Sequence, residues 1–122
     1  MSSELKDKRK GIGFSYAWNG IKEIAKTEHN FRIHLAATIA TVLAGFVFRL
    51  SNVEWAIVTL AIGLVLMAEV TNSAIEKTID YLKPEIHPSA KVIKDIAAGA
   101  VLISAVIAFI VGLLIFFPKL LG

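Results

Sequence analysis

From Ile96 to Phe117 the chain carries no charged side chain, a stretch longer than the roughly 20 apolar residues that carry a helix across a ~30 Å hydrocarbon layer. A chain of 122 residues has too little else in it to bury such a segment, so the natural solvent for it is a bilayer. Two shorter apolar stretches precede it, about Leu35 to Phe48 and Val53 to Ala68. A soluble helical hairpin would need a polar face along each, and neither has one. Both are therefore read as spans. The composition agrees, with 56% hydrophobic residues, 19% charged and a mean hydropathy of +0.67.

Local signals set the boundaries. Ser51 and Asn52 followed by Glu54 make a turn and a helix start, so the first two spans form a tight hairpin. Nothing between Glu69 and Tyr81 breaks a helix, and Pro84 is the first residue to demand an end. The second helix therefore leaves the membrane still helical. Pro88 is well placed to open the third. The spans fall at about 31–49, 53–83 and 89–117. Ahead of them, Phe14, Ala17, Trp18, Ile21 and Ala25 recur at spacings of three and four, with Lys22, Glu23 and Lys26 opposite. That pattern predicts an amphipathic helix over about 11–27. Tyr16 and Trp18, with Lys8, Arg9 and Lys10 nearby, suit a helix lying in an anionic headgroup layer. The N-terminal residues lack the apolar core of a signal peptide, so they are expected to be retained. The expectation is one all-α membrane domain over residues 1–122, a surface helix plus three transmembrane helices.

Three spans put the termini on opposite sides. Lys6, Lys8, Arg9, Lys10, Lys22, Lys26, Arg32, Lys77, Lys83, Lys91 and Lys94 share one side, against Arg49 and Lys119 on the other. Eleven basic residues against two place the N-terminus and the loop around Pro84 in the cytoplasm. In the third helix Ala100, Ser104, Ala108 and Gly112 repeat every four residues, as Ala37, Thr41 and Gly45 do in the first. Small residues so spaced let helices approach closely in lipid, within or between protomers.

Several chemistries fall away. The chain has no cysteine, which removes thiolate metal sites, disulfides and cysteine nucleophiles. A net charge of +3, scattered among acids, gives nucleic-acid binding no support. His29 and His34 are five apart and point to different helix faces, and His87 lies in a loop, so the histidines build no metal site of their own. Neither a P-loop nor a protein-kinase signature is present.

What remains is a polar stripe. Glu69, Asn72, Glu76 and Asp80 follow one another by three or four residues, which at about 100° per residue keeps them within a sector of roughly 80°. Glu69 lies about 24 Å along the helix from Val53, near the inner edge of the hydrocarbon layer. A carboxylate there needs a partner, a cavity or a metal. Glu28 stands just before the first span at similar depth, and Lys94 with Asp95, near the start of the third helix, can return beside the stripe. Carboxylates, an amide and a lysine at a cytoplasmic interface suit a Mg²⁺–nucleotide site and phosphoryl transfer. Salt bridges at a solvated helix end are the better account of Lys77, Lys83 and Glu4, whereas Glu69, Asn72 and Glu76 lie too deep for it. A proton-coupled transporter would instead hold its acid alone near the midplane.

The segment Glu69-Val-Thr-Asn-Ser-Ala-Ile-Glu76-Lys-Thr-Ile-Asp80, followed by His87-Pro-Ser-Ala-Lys91-Val-Ile-Lys94-Asp95-Ile-Ala-Ala-Gly-Ala, closely resembles the signature of the bacterial diacylglycerol and undecaprenol kinases. Arg9, Tyr16, Trp18, Gly20, Glu28 and Asn30-Phe-Arg32 match the family's N-terminal half. The resemblance implies an ATP-dependent lipid kinase of the bacterial inner membrane, a homotrimer whose active sites are shared between protomers. Carried over by position, Glu69 is the general base toward the lipid hydroxyl. Glu28 and Glu76 hold Mg²⁺, Asn72 orients them, and Lys94 contacts the transferring phosphate. Asp95 supports the nucleotide, which Arg9, Tyr16 and Glu85, Ile86 and His87 border. Asn30 to His34 and Ala97 to Ala100 look like the undecaprenol branch. Diacylglycerol kinases commonly have a carboxylate where His34 stands.

Overall fold

The protein is described by a computed structural model, which covers residues 3–83, 85 and 87–122, with side chains from residue 13 onward. Among these residues the chain is all helical: α1 Ser3–Thr27, α2 His29–Val47, α3 Asn52–Leu82 and α4 Pro88–Leu120. The last three are long and apolar enough to cross a membrane, with mean hydropathies of 1.4, 2.0 and 3.0. Their outer faces are bare hydrocarbon. Leu60, Leu102, Phe109 and Leu114 are each at least 66% exposed, an apolar surface that water would not tolerate on a monomer.

α1 begins eight residues earlier than the apolar periodicity placed it, since periodicity marks only the part of a helix with a face to bury. One extended residue, Glu28, separates it from α2. Arg32 reaches back across this joint, donating from Nη1 to the carbonyl oxygens of Ala25 and Lys26 at 3.0 and 2.9 Å. It thereby satisfies orphan carbonyls and sets a cation on the negative end of α1. Ile24 and Phe31 are buried at the joint, while Phe14, Trp18 and Ile21 farther up α1 stay exposed.

The α2–α3 hairpin closes as a Schellman turn. Leu50 N–H donates to the Gly45 carbonyl and Arg49 N–H to that of Phe46, with Arg49 in the left-handed region at φ 55°. Ser51 then caps α3 in a reciprocal box with Glu54, as the sequence indicates. Gly45 lets the helices meet: a Cβ there would lie 2.5 Å from the Trp55 ring. At the other end His87 caps α4, accepting from Ser89 N–H, and Pro88 takes the first turn. α4 runs on to Leu120, three residues beyond the expected end, with Pro118 inside its last turn.

α3 is the central helix, packing on α2 along one side and most extensively on α4 along the other. Its buried positions, Val58, Ala61, Val65, Glu69 and Ser73, step by three or four residues down one face. Near the hairpin, Leu50, Val58 and Ile115 form a small apolar cluster with Trp55, Ile62, Val111 and Phe116 around it. Lys119 and Glu54 tie α4 to α3 there at 3.1 Å.

Candidate active site

The site lies at the opposite end of α3 from that cluster, where the buried face turns polar. Glu69 occupies the next helical step after Val65 and is only 3% exposed, the most buried charged side chain among the described residues. Its contact is across the helix pair: His34 Nε2 on α2 stands 3.4 Å from Glu69 Oε1. Glu28 and Glu76 are near enough to act electrostatically on the same carboxylate. Glu28, at the α1–α2 joint, pairs with Lys77 of α3 at 3.4 Å. The half-exposed lysine keeps that pair's worth to within about 1 kcal/mol, yet it carries Glu28 to the flank of α3.

One turn below Glu69, Asn72 Nδ2 donates to Glu76 Oε1 at 3.1 Å. Asn72 Oδ1 is buried without a hydrogen-bond partner, an arrangement that costs about 1–3 kcal/mol unless something else fills it. A lone amide oxygen beside a carboxylate is the hard-oxygen chemistry that Mg²⁺ selects. Among the described residues no three His, Asp or Glu side chains gather as a metal-binding group. Mg²⁺ commonly takes one or two carboxylates and leaves its other positions to water and phosphate, so the residues present fit the ion.

The stripe divides at its far end. Asp80 turns away from α2 and accepts from Lys94 of α4. Asp95 pairs with Lys91 one turn back on the same helix. Lys94 and Asp95 thus stand on the second turn of α4, and Lys94 meets the stripe at Asp80 instead of at Glu69 or Asn72. Asp80, Lys83, Glu85, His87, Lys91 and Lys94 surround an open pocket of about 200 Å³. Three lysines against Asp80 and Glu85 leave this mouth a small excess of positive charge, which favours an anion.

Tyr16 lies about 18 Å along α1 from Glu28 at 1.5 Å per residue, too far for the two side chains of one protomer to meet. Ile86 and the side chain of Arg9 fall outside the described residues. In the sequence His34 stands out only as a branch feature and as a histidine too far from His29 to share its helix face, and nothing local sets it beside Glu69. A signal was present: His34 heads the row Ala37, Thr41 and Gly45, and Gly45 is where α2 meets Trp55 of α3. That row is the face α2 turns to α3, which places His34 over the polar end.

Three membrane-length helices, with a buried acid, a partly buried amide and a part-exposed lysine toward one end, define an integral membrane protein with a polar cluster at one end of its spans. A family model described as prokaryotic diacylglycerol kinase matches residues 15–116. The chain is 50% identical over 107 residues to the undecaprenol kinase of Bacillus subtilis, covering 88% of this chain and 87% of that one. It is 38% identical to a diacylglycerol kinase of Synechocystis over 91% of this chain and 64% of that one. With the Escherichia coli K12 diacylglycerol kinase the identity is 28%, over 78% of each. The chain belongs to the prokaryotic diacylglycerol kinase family and is a lipid kinase.

Proposed function

We propose that this enzyme transfers the γ-phosphate of ATP to the hydroxyl of undecaprenol, giving undecaprenyl phosphate. The observation that carries the acceptor is the 50% identity to an undecaprenol kinase over 88% of the chain, against 38% and 28% to the two diacylglycerol kinases. Diacylglycerol as acceptor is the second reading, since relatives of that name share the family.

Glu69 is the general base. Its burial beside the apolar spans suits a proton acceptor that meets a lipid hydroxyl at the membrane edge. It takes the hydroxyl proton, the freed oxygen bonds to the γ-phosphorus, and the bond from that phosphorus to the bridging oxygen of ADP breaks. Asn72 orients Glu76 through its amide hydrogen bond. Glu28 and Glu76 would hold Mg²⁺, which when bound neutralises phosphate charge. Lys94, released from Asp80, contacts the transferring phosphate, and Asp95 supports the nucleotide. Glu85, Ile86 and His87 border it with Arg9 and Tyr16.

The site is completed by a neighbouring protomer, in a homotrimer. Half-covered small residues on α4 support the same assembly: Ser104 is buried, but nothing lies within 4 Å of a Cβ built on Gly112. Residues 1–122 act as one domain of the bacterial inner membrane, with the N-terminus and site in the cytoplasm, where the eleven basic residues and the ATP are. The exposed Phe14, Trp18 and Ile21 of α1 rest in the headgroup layer.

The test is phosphorylation by purified protein in mixed micelles with Mg·ATP. Undecaprenol is expected to be the faster substrate. A clear preference for diacylglycerol would overturn the acceptor and leave the kinase intact.

A further inference from the structure

An open groove of about 390 Å³ runs over α3 between α2 and α4, with walls such as Val58, Val65, Ala108 and Phe109. Its polar side chains are His34, Thr38 and Thr41. The threonine hydroxyls are spent on their own helix, Thr38 donating to the His34 carbonyl and Thr41 to that of Ala37. His34 alone of the three turns its polar group to another helix. Its Nε2 is 3.4 Å from Glu69 Oε1, with the imidazole 24% exposed and the carboxylate side chain 4%. Glu69 does not line the groove. The imidazole therefore stands between the apolar groove and the buried acid.

We propose that His34 is a positioning residue for phosphoryl transfer: its Nε2–H holds one oxygen of Glu69, so that the other is presented to the acceptor hydroxyl. This rests on the reading of Glu69 as the base. His34 gains and loses no proton. The hydroxyl proton goes to the second carboxylate oxygen, and the electron pair it leaves forms the new bond to phosphorus as ADP departs. A separation of 3.4 Å exceeds the 2.7–2.9 Å of a charge-assisted hydrogen bond. Such bonds commonly tighten only when substrate is bound. A carboxylate on a flexible side chain without this hold samples unproductive orientations, and misplacement by about 1 Å can cost 10²-fold in rate.

Three substitutions test this in the full-length protein in mixed micelles. His34→Gln puts an amide nitrogen where Nε2 stood. His34→Asn falls short of it, and His34→Leu keeps bulk without a donor. Leu and Asn are expected to lower kcat by about 10- to 100-fold with KM for ATP unchanged, while Gln stays within about fivefold of the parent. Near-parental kcat in His34→Leu, or a His34→Gln as poor as His34→Leu, would overturn the proposal. So would losses that follow loss of folded protein in a parallel thermal melt. Glu69→Gln, assayed alongside, separates the two readings. An active Glu69→Gln removes the base and this inference with it, whereas an inactive Glu69→Gln beside an unaffected His34→Leu removes only the positioning role.

Discussion

Replacing Glu69 by Gln distinguishes a base from a brace, because the structure limits what a brace could contribute. Glutamine has nearly the same shape and helix propensity as glutamate, so the packing around this 3%-exposed side chain is preserved. Its amide oxygen can keep the 3.4 Å contact with His34 Nε2, which changes only from charged to neutral. That difference is about 1–1.5 kcal/mol. It is offset in part, since the charge removed is a buried one. A purely structural role therefore predicts at most about a tenfold effect, at about 1.4 kcal/mol per decade. Loss of a general base instead costs about 10²–10⁴-fold, or roughly 3–5 kcal/mol of transition-state stabilisation. The two ranges do not overlap. The assay is the initial rate of lipid phosphate formation in mixed micelles, with ATP affinity and a thermal melt measured on the same preparations. Turnover should fall at least a hundredfold with ATP affinity and melting temperature nearly unchanged. Turnover above about a tenth of the parent's, or a loss matched by melting, would refute the assignment.

Glu76→Gln can still accept from Asn72 but removes a hard anionic ligand, so its Mg²⁺ dependence should move to higher concentration and added Mg²⁺ should restore part of the rate; an unchanged Mg²⁺ titration would count against it. Gly45→Ala drives a methyl to 2.5 Å from Trp55, an overpacking of about 1–3 kcal/mol against a helix-propensity gain of about 1. Unfolding by titrated detergent should show a net loss of up to about 2 kcal/mol that vanishes in a Trp55→Leu background, and a stabilised Gly45→Ala would contradict the close approach. A reporter fused after Gly122 should read as external and one at the N-terminus as cytoplasmic; two termini on one side would remove the three-span topology and with it the access of the site to ATP.

The spans, the capping of α3 by Ser51 and Glu54, and the opening of α4 at Pro88 were legible in the linear sequence because each depends on residues within a few positions of one another. Hydrocarbon length, a capping box and a proline act locally. The polar stripe was legible for the same reason, being a property of one helix. Its partners were not. Glu69, Asn72, Glu76 and Asp80 share a sector of α3, yet α2 lies on one side of that helix and α4 on the other. The tertiary packing therefore divides the stripe, sending Glu69 to His34 and Asp80 to Lys94. Arg32 capping α1 and Lys77 holding Glu28 were likewise decided by how helices meet. By itself the sequence determined that the chain crosses a membrane three times and gathers acids at one end. Which acid is buried, and which side chain faces it, depended on the placement of α2 and α4 around α3, because burial and ion pairing arise between helices and leave no period within any one of them.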